Sequence, residues 1–341
     1  MFPTTEAELE ELLSRPTELS LRAMQEMQGD LLVLGVGGKM GASLLRLARR
    51  SADEAGRPRQ KIIGASRFSK SGLREELQRE RIETVPLDFL NEQDRHRLPD
   101  APNVLFMFGH KFGANGLPGI YWAMNTYLPG LLAEQFRQSR IVAFSSGNVY
   151  PFTPVDQPPP AEDSACSPVG EYAITAWGRE RMLEFVSARH GTPICLLRLN
   201  YAVDLRYGVI VDIAQKLRSG EPIDLSVPEV NYCWQGWANA VSLAAFVHAG
   251  SPAAVFNVTG TGRHKVRDLA KELGRRLDID PRFSEPEGTT ALVSDASRCH
   301  QVFGDPSIGD LELLDYVAAW LRGGGRTLGK PTGFQVRDGK F

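Results

Sequence analysis

A serine-containing segment and a tyrosine near the middle of the chain are the residues best suited to chemistry. The segment reads Ser145-Ser146-Gly147-Asn148-Val149-Tyr150, and Tyr172 stands at the start of the next predicted helix. A serine hydroxyl and a phenol beside one substrate oxygen can polarise a carbonyl or exchange the proton of an alcohol. We predict Ser146 and Tyr172 as catalytic residues, although each residue type by itself is common in turns and packing surfaces.

A glycine-rich loop near the N-terminus predicts a nucleotide-binding site. Gly35-Val36-Gly37-Gly38-Lys39-Met40-Gly41 lies between an apolar strand pattern and a helical pattern. Glycines let the backbone approach a pyrophosphate, whose negative charge then faces the N-terminus of the following helix. The spacing is GxxGxxG through Gly35, Gly38 and Gly41, whereas a GxGxxG match would need glycine in place of Met40.

The end of the second predicted strand bears on the choice of dinucleotide. A carboxylate at this position would bind the adenosine ribose and repel a 2′-phosphate, but the chain has Ser66 and Arg67 there. Arginine can grip a phosphate with two hydrogen bonds. The sequence therefore favours NADP, with NAD as the alternative.

These residues require a sheet that brings strand ends together. Short apolar runs at 31–34, 61–65, 84–87, 104–108, 141–144 and 194–199 alternate with helical patterns, including a long helix over 121–137. This alternation predicts a Rossmann-like, doubly wound parallel α/β sheet with ligands at the carboxyl ends of its strands.

We divide the chain into four parts. They are a helical extension (1–29), a dinucleotide-binding domain (30–200), a smaller C-terminal substrate-binding lobe (201–322) and a glycine-rich tail (323–341). Return of residues 238–258 to the main sheet is left open. The tail is expected to be mobile, or ordered only by a partner subunit.

Composition excludes several classes of protein. The 341 residues include 39 Lys+Arg against 41 Asp+Glu, so the net charge of −2 provides no basic field for nucleic acid. The four cysteines are far apart and form no CxxC pair, which argues against structural zinc and a disulfide framework. We found neither a signal-peptide pattern nor a membrane span, and we expect a cytoplasmic protein.

Together these features resemble the extended short-chain dehydrogenase/reductase superfamily, in its NAD-dependent epimerase/dehydratase branch. The resemblance runs from about Leu31 to Trp320, and the family's SSxxVY motif is matched by Ser145 to Tyr150. It implies a possible homodimer and a small-molecule substrate. Beyond the glycine loop, it implies cofactor contacts at Ser66, Arg67, Asp88, Phe89, Gly109, Asn125, Ser145 and Tyr172.

One departure from the family pattern concerns the catalytic tyrosine. The family motif is YxxxK, and here Ala176 stands where the lysine belongs. In the family that lysine binds the nicotinamide ribose and lowers the pKa of the tyrosine, because a nearby cation favours the phenolate. Three residues are possible substitutes: Lys111 and His110 in the loop after the fourth strand, and Arg179 two turns along the helix.

Candidate substrate contacts are weaker, since each residue is equally compatible with packing. They are Asn148, Asn200, Arg206, Tyr207, Trp234 and Gln235. The leading hypothesis is an NAD(P)-dependent oxidoreductase or epimerase/dehydratase that acts on a hydroxyl or keto group of a polar small molecule, plausibly a sugar derivative. The alternatives are a non-catalytic NAD(P)-binding sensor or scaffold, and an atypical reductase that uses Tyr172 without lysine.

Overall fold

Short apolar strands form the centre of the molecule, in a computed structural model that describes residues 2–111, 117–284 and 286–339. Seven parallel strands lie in the order β7-β6-β5-β4-β1-β2-β3. The strands are β1 (Leu31–Leu34), β2 (Ile62–Ser66), β3 (Glu83–Pro86), β4 (Asn103–Phe106), β5 (Arg140–Ser146), β6 (Ile194–Leu199) and β7 (Ala254–Val258). The predicted doubly wound α/β fold is therefore confirmed.

Helices cover both faces of this sheet and build the C-terminal lobe. They are α1 (Glu6–Leu13), α2 (Glu18–Glu26), α3 (Gly41–Glu54), α4 (Leu73–Arg79), α5 (Glu92–Arg95), α6 (Gly119–Trp122), α7 (Leu128–Gln135), α8 (Glu171–His190), α9 (Val209–Ser219), α10 (Gln235–Ala244), α11 (Val266–Leu277), α12 (Ser297–Phe303) and α13 (Asp310–Arg322). Two-residue strand pairings link the lobe segments, for example Ala202–Val203 with Cys233–Trp234.

The single long helix predicted over 121–137 is wrong. Between α6 and α7 the chain forms one π-helical turn, Ala123–Tyr127, in which Asn125 is completely buried. Pro129 has no N–H to donate, and the wider turn before it turns the Asn125 amide toward the loop after β4.

The two ends of the chain belong to the same core as the sheet and the lobe. Leu9, Leu13 and Met24 of the N-terminal helices are fully buried in a cluster that also contains lobe residues. The expectation of a mobile or partner-ordered tail is wrong for its described residues, because Phe334 is buried in that same cluster. The parts proposed from the sequence thus share one hydrophobic core.

A buried ion pair fastens α8 to the sheet. Glu180 on α8 is inaccessible to solvent and lies 2.8 Å from the Arg198 guanidinium on β6. The carboxylate also accepts a hydrogen bond from the Ser145 hydroxyl on β5, and Arg198 donates to the Tyr150 hydroxyl. Strands β5 and β6 and the segment that carries Tyr150 are thereby joined to one another at the middle of α8.

We predict that Glu180→Gln lowers the free energy of unfolding by about 3–5 kcal/mol, because it leaves the Arg198 charge buried without its counterion. Glu184→Gln on the same helix is the matched control, since the Arg181–Glu184 pair lies at the surface and its loss costs less than about 1 kcal/mol. Urea titrations of both variants test this, and equal losses would contradict it.

Candidate active site

The glycine loop forms a cradle lined by backbone. Gly35 has φ +93°, and a Cβ there would lie 2.6 Å from the Phe108 nitrogen. A Cβ at Gly37 would lie 2.6 Å from Ser66 Oγ, and one at Gly41 would collide with the Val36 backbone. The loop leads directly into the 14-residue helix α3, whose N-terminal N–H groups attract anions. These residues fit the pyrophosphate of a dinucleotide.

Tyr172 lies one residue inside α8, at the carboxyl edge of the sheet, and meets a cation that its own helix does not supply. Ala176, at the family's lysine position, is buried against Val149 and Tyr150. The Lys111 ammonium instead lies 5.6 Å from the centroid of the Tyr172 ring. Of the three proposed substitutes, Lys111 is the one for which the structure shows a contact with the tyrosine ring.

Arg179, the second proposed substitute, has a different task. Its guanidinium is buried beneath Gly109 and donates to the carbonyl oxygens of Asn125 and Phe144 and to Asn125 Oδ1. Desolvation lowers the pKa of Arg179, and these acceptors compensate the buried donors. Arg179 is therefore a positioning residue, and its charge also interacts electrostatically with Tyr172.

Asn125 is the link between Arg179 and the loop after β4. Its side chain accepts from the His110 N–H at 2.7 Å and donates to the His110 carbonyl oxygen at 2.9 Å. It also donates to Thr175 Oγ1 on α8. The amide thus fixes the loop that carries Lys111 relative to the helix that carries Tyr172. His110 itself turns its ring toward Tyr121, and its buried Nε2 has no hydrogen-bond partner among the residues that the structure describes.

Ser146 ends β5, which is longer than predicted and includes both serines of the motif. The Ser146 hydroxyl donates to Asn148 Oδ1 at 3.0 Å and accepts from the Asn148 N–H at 3.2 Å. Asn148, predicted as a substrate contact, is thus positioned to orient Ser146. Ser145 was predicted to contact the cofactor, but its hydroxyl points to Glu180 and stabilises the fold instead.

Lys39 of the glycine loop and Lys111 lie close enough to interact electrostatically. Burial, reinforced by the nearby Lys111, lowers the pKa of Lys39 to about 7, and burial lowers the pKa of Lys111 to about 8. The Lys39 ammonium sits over the Tyr207 ring, 2.9 Å from its centroid. Asp204 and Asp212 oppose the shift of Lys39, and Asp212 on α9 also opposes that of Lys111. Burial raises the pKa of Asp212 itself.

Sequence reasoning missed Tyr201 and Asp212. Tyr201 follows β6 with φ +44° and lies close enough to Tyr172, Tyr207 and Asp212 to interact electrostatically with each. Burial raises the pKa of both Tyr201 and Tyr207. One signal for Asp212 was available, since it is the sole charged residue in the otherwise apolar stretch Val209–Ala214.

The side chains of four predicted substrate residues are engaged within the fold. Asn200 is buried and donates to Asn231 Oδ1, and Gln235 is buried and donates to Ser43 Oγ on α3. Trp234 is packed in the core. Arg206 forms ion pairs with Asp204 and with Glu10 of α1. Each side chain therefore has a structural task, and their roles in substrate binding stay predictions. Arg206 lines a pocket together with Gly37 and Gly38, and Tyr207 lies at the cleft.

The adenosine side of the cleft is more open. Arg67 and Asp88 are exposed, whereas Phe89 is buried with its ring against Phe108. Ser66 accepts a hydrogen bond from the Phe68 N–H. Phe89 therefore supports the loop after β3 through packing. The exposed side chains of Arg67 and Asp88 are accessible to a ligand at the edge of the cleft.

Comparison with protein-family models decides the family. The model of the NAD dependent epimerase/dehydratase family matches residues 31–203, which is half of the chain and includes the glycine loop, Lys111 and Tyr172. The chain belongs to this family. No curated protein sequence matches it.

Solved structures of similar fold include several members of the family. UDP-glucuronic acid 4-epimerase from Bacillus cereus superposes with a TM-score of 0.70 at 15% identity, covering 86% of this chain and 99% of that one. UDP-glucose 4-epimerase from Thermotoga maritima superposes with a TM-score of 0.70 at 19% sequence identity, covering 86% of this chain and 98% of that one. dTDP-glucose 4,6-dehydratase from Bacillus anthracis superposes with a TM-score of 0.69 at 13% sequence identity, covering 86% of this chain and 96% of that one. At these identities the likeness establishes the fold.

In the described ranges of this family member, no helix is both long and apolar enough to cross a membrane.

Proposed function

We propose that this protein binds a nicotinamide dinucleotide in the cleft and uses Tyr172 as its acid/base residue in an epimerase, dehydratase or reductase reaction. The observation that carries the proposal is the Lys111 ammonium beside the Tyr172 ring. A cation at this position favours the phenolate, which is the task of the lysine that Ala176 replaces. The chemistry of the family is thus compatible with the altered motif.

The chain's own residues have distinct tasks in this scheme. When bound, the nicotinamide supplies hydride chemistry. Tyr172 exchanges the proton of the substrate oxygen, and Ser146, oriented by Asn148, binds the same oxygen. Lys111 stabilises the ionised Tyr172, while the backbone of residues 35–41 holds the pyrophosphate at the N-terminus of α3.

We propose a nucleotide sugar as the substrate class. Two kinds of support point to it. The similar structures named above are enzymes of UDP-sugars and a dTDP-sugar. In this chain, Lys111 and Lys330 each lie close enough to Lys39 to affect its charge, and the three ammonium groups suit the phosphates of such a ligand.

The first test replaces the phenol alone. We expect Tyr172→Phe to lower turnover by about 10²–10⁴-fold, because the variant keeps the ring and loses the proton donor. The assay uses NAD with UDP-glucose and UDP-glucuronic acid and follows epimer formation by NMR. Tyr127→Phe, whose ring is exposed, is the matched control. Turnover of Tyr172→Phe within a few-fold of the unaltered protein would refute the proposal.

The second test concerns the charge of Lys111. Since burial lowers its pKa to about 8, the ammonium is present below pH 8 and is lost as the pH rises through that value. We expect turnover to fall above about pH 8, and Lys111→Arg, whose guanidinium stays charged, to move this fall upward by at least about one unit. In Lys111→Met, turnover should be at least about tenfold lower than in the unaltered protein at every pH. An unchanged alkaline limb in Lys111→Arg would exclude Lys111 as the cation.

The third test concerns the dinucleotide. The sequence favours NADP through Arg67, but the family description and the bound ligands of the similar structures name NAD and lend NADP no support. We therefore propose NAD as the resident cofactor. Fluorescence titration should show tighter binding of NADH than of NADPH, with Arg67→Ala leaving NADH binding unchanged. Tighter NADPH binding that is lost selectively in Arg67→Ala would restore the interpretation drawn from the sequence.

A further inference from the structure

The last described residues of the chain form a strap across the active-site cleft. We use this name for residues 325–339, which follow α13. The strap passes Arg206, whose carbonyl oxygen accepts the Leu328 N–H, and then α9, where Gln215 donates to Thr327 Oγ1. It ends against Gly170, two residues before Tyr172, where a Cβ would lie 2.8 Å from the Gly339 carbonyl oxygen. The strap therefore spans from the substrate lobe to the catalytic helix.

Thr332, in the middle of the strap, connects Lys111 with Asp212. Its carbonyl oxygen accepts a hydrogen bond from the Lys111 ammonium at 3.1 Å. Its N–H and its hydroxyl donate to Asp212 Oδ2 at 2.7 and 2.6 Å. One residue thus joins the loop after β4 to helix α9.

Packing holds this bridge in place. Thr332 and Phe334 are 3% and 2% exposed, and the Phe334 N–H donates to Thr332 Oγ1. A buried ammonium needs acceptors for its protons, and a flexible lysine side chain loses its position when an acceptor withdraws. The location of Lys111 therefore depends on a segment more than two hundred residues away in sequence.

We propose that the strap is a wall of the active site and that Thr332 is a positioning residue that holds the Lys111 ammonium beside the Tyr172 ring. The importance of this contact for catalysis rests on the function proposed above. The contact itself does not, because the position of Lys111 can be measured without substrate.

Other ionisable groups also surround this contact. Four ionisable residues interact with Tyr172 on α8. They are Lys111 of the loop after β4, Arg179 of the same helix, and Tyr201 and Tyr207 of the segment after β6. Lys111 interacts in addition with Asp212 of α9 and with Lys39 of the glycine loop. The substitutions below leave all of these groups in place.

The test is competitive labelling of lysines with acetic anhydride across a range of pH, read by peptide mass spectrometry. Only the neutral amine reacts, so the rate reports how accessible Lys111 is and the midpoint reports its pKa. The full-length protein is compared with Thr332→Val, which removes the hydroxyl, and with Thr332→Ser, which retains it. Thr327→Val is the matched control in the same strap, and exposed Lys271 is the internal reference.

Thr332→Val keeps the carbonyl oxygen that accepts from Lys111 but removes the hydroxyl that anchors this residue to Asp212. We expect the loss of this hydrogen bond to a charged group to loosen the strap at Thr332 and to raise the labelling rate of Lys111 about tenfold. The midpoint should move from about 8 toward the ordinary value of 10.5, because the loosened strap admits water. Thr332→Ser, Thr327→Val and the Lys271 reference should match the unaltered protein. Thermal melts confirm that each variant is folded.

Two results would overturn the inference. Labelling of Lys111 that is unchanged in Thr332→Val would show that the anchoring of Thr332 to Asp212 does not position the ammonium, and the inference would fail. Equal acceleration in Thr327→Val would show that any loosening of the strap has the same effect, so that Thr332 has no special task. Neither result bears on turnover of Tyr172→Phe, which tests the proposed function separately.

Discussion

The burial of a single guanidinium organises the active site. Arg179 is enclosed by protein, and a charge removed from water is tolerated only when its donors find acceptors. Those acceptors are the Phe144 carbonyl oxygen, at the end of β5, and two oxygens of Asn125. Because Asn125 also holds both backbone groups of His110, the requirement to satisfy Arg179 sets the distance between α8 and the loop that carries Lys111.

This constraint explains how the site tolerates alanine at position 176. Ala176 is packed against Val149 and Tyr150, so the helix face that carries a lysine in the family motif serves here as a packing surface. In the function we propose, the positive charge comes instead from Lys111, whose ammonium lies 5.6 Å from the centroid of the Tyr172 ring. Electrostatics requires a cation near the phenol, but it does not require that the cation come from the same helix.

The two ends of the chain add to the same site from outside the sheet. Glu10 of α1 pairs with Arg206 and Arg46, which joins the N-terminal extension to the substrate lobe and to α3. Leu328 of the strap is bonded to the Arg206 backbone, and Thr332 continues to Lys111 and Asp212. The extension and the strap therefore meet beside the glycine loop, where they narrow the approach to the cleft.

The sequence by itself determined the sheet and the glycine cradle, because apolar runs and glycine spacing are local patterns. It also predicted Ser146, Tyr172 and three possible cations, one of them Lys111. Only the tertiary structure showed the Lys111 ammonium near the Tyr172 ring, the Ser145 hydroxyl bonded to Glu180, and Asp212 bonded to Thr332. These outcomes depend on which buried polar group pairs with which, and hydrogen bonds between residues far apart in the chain leave no periodic trace in its sequence.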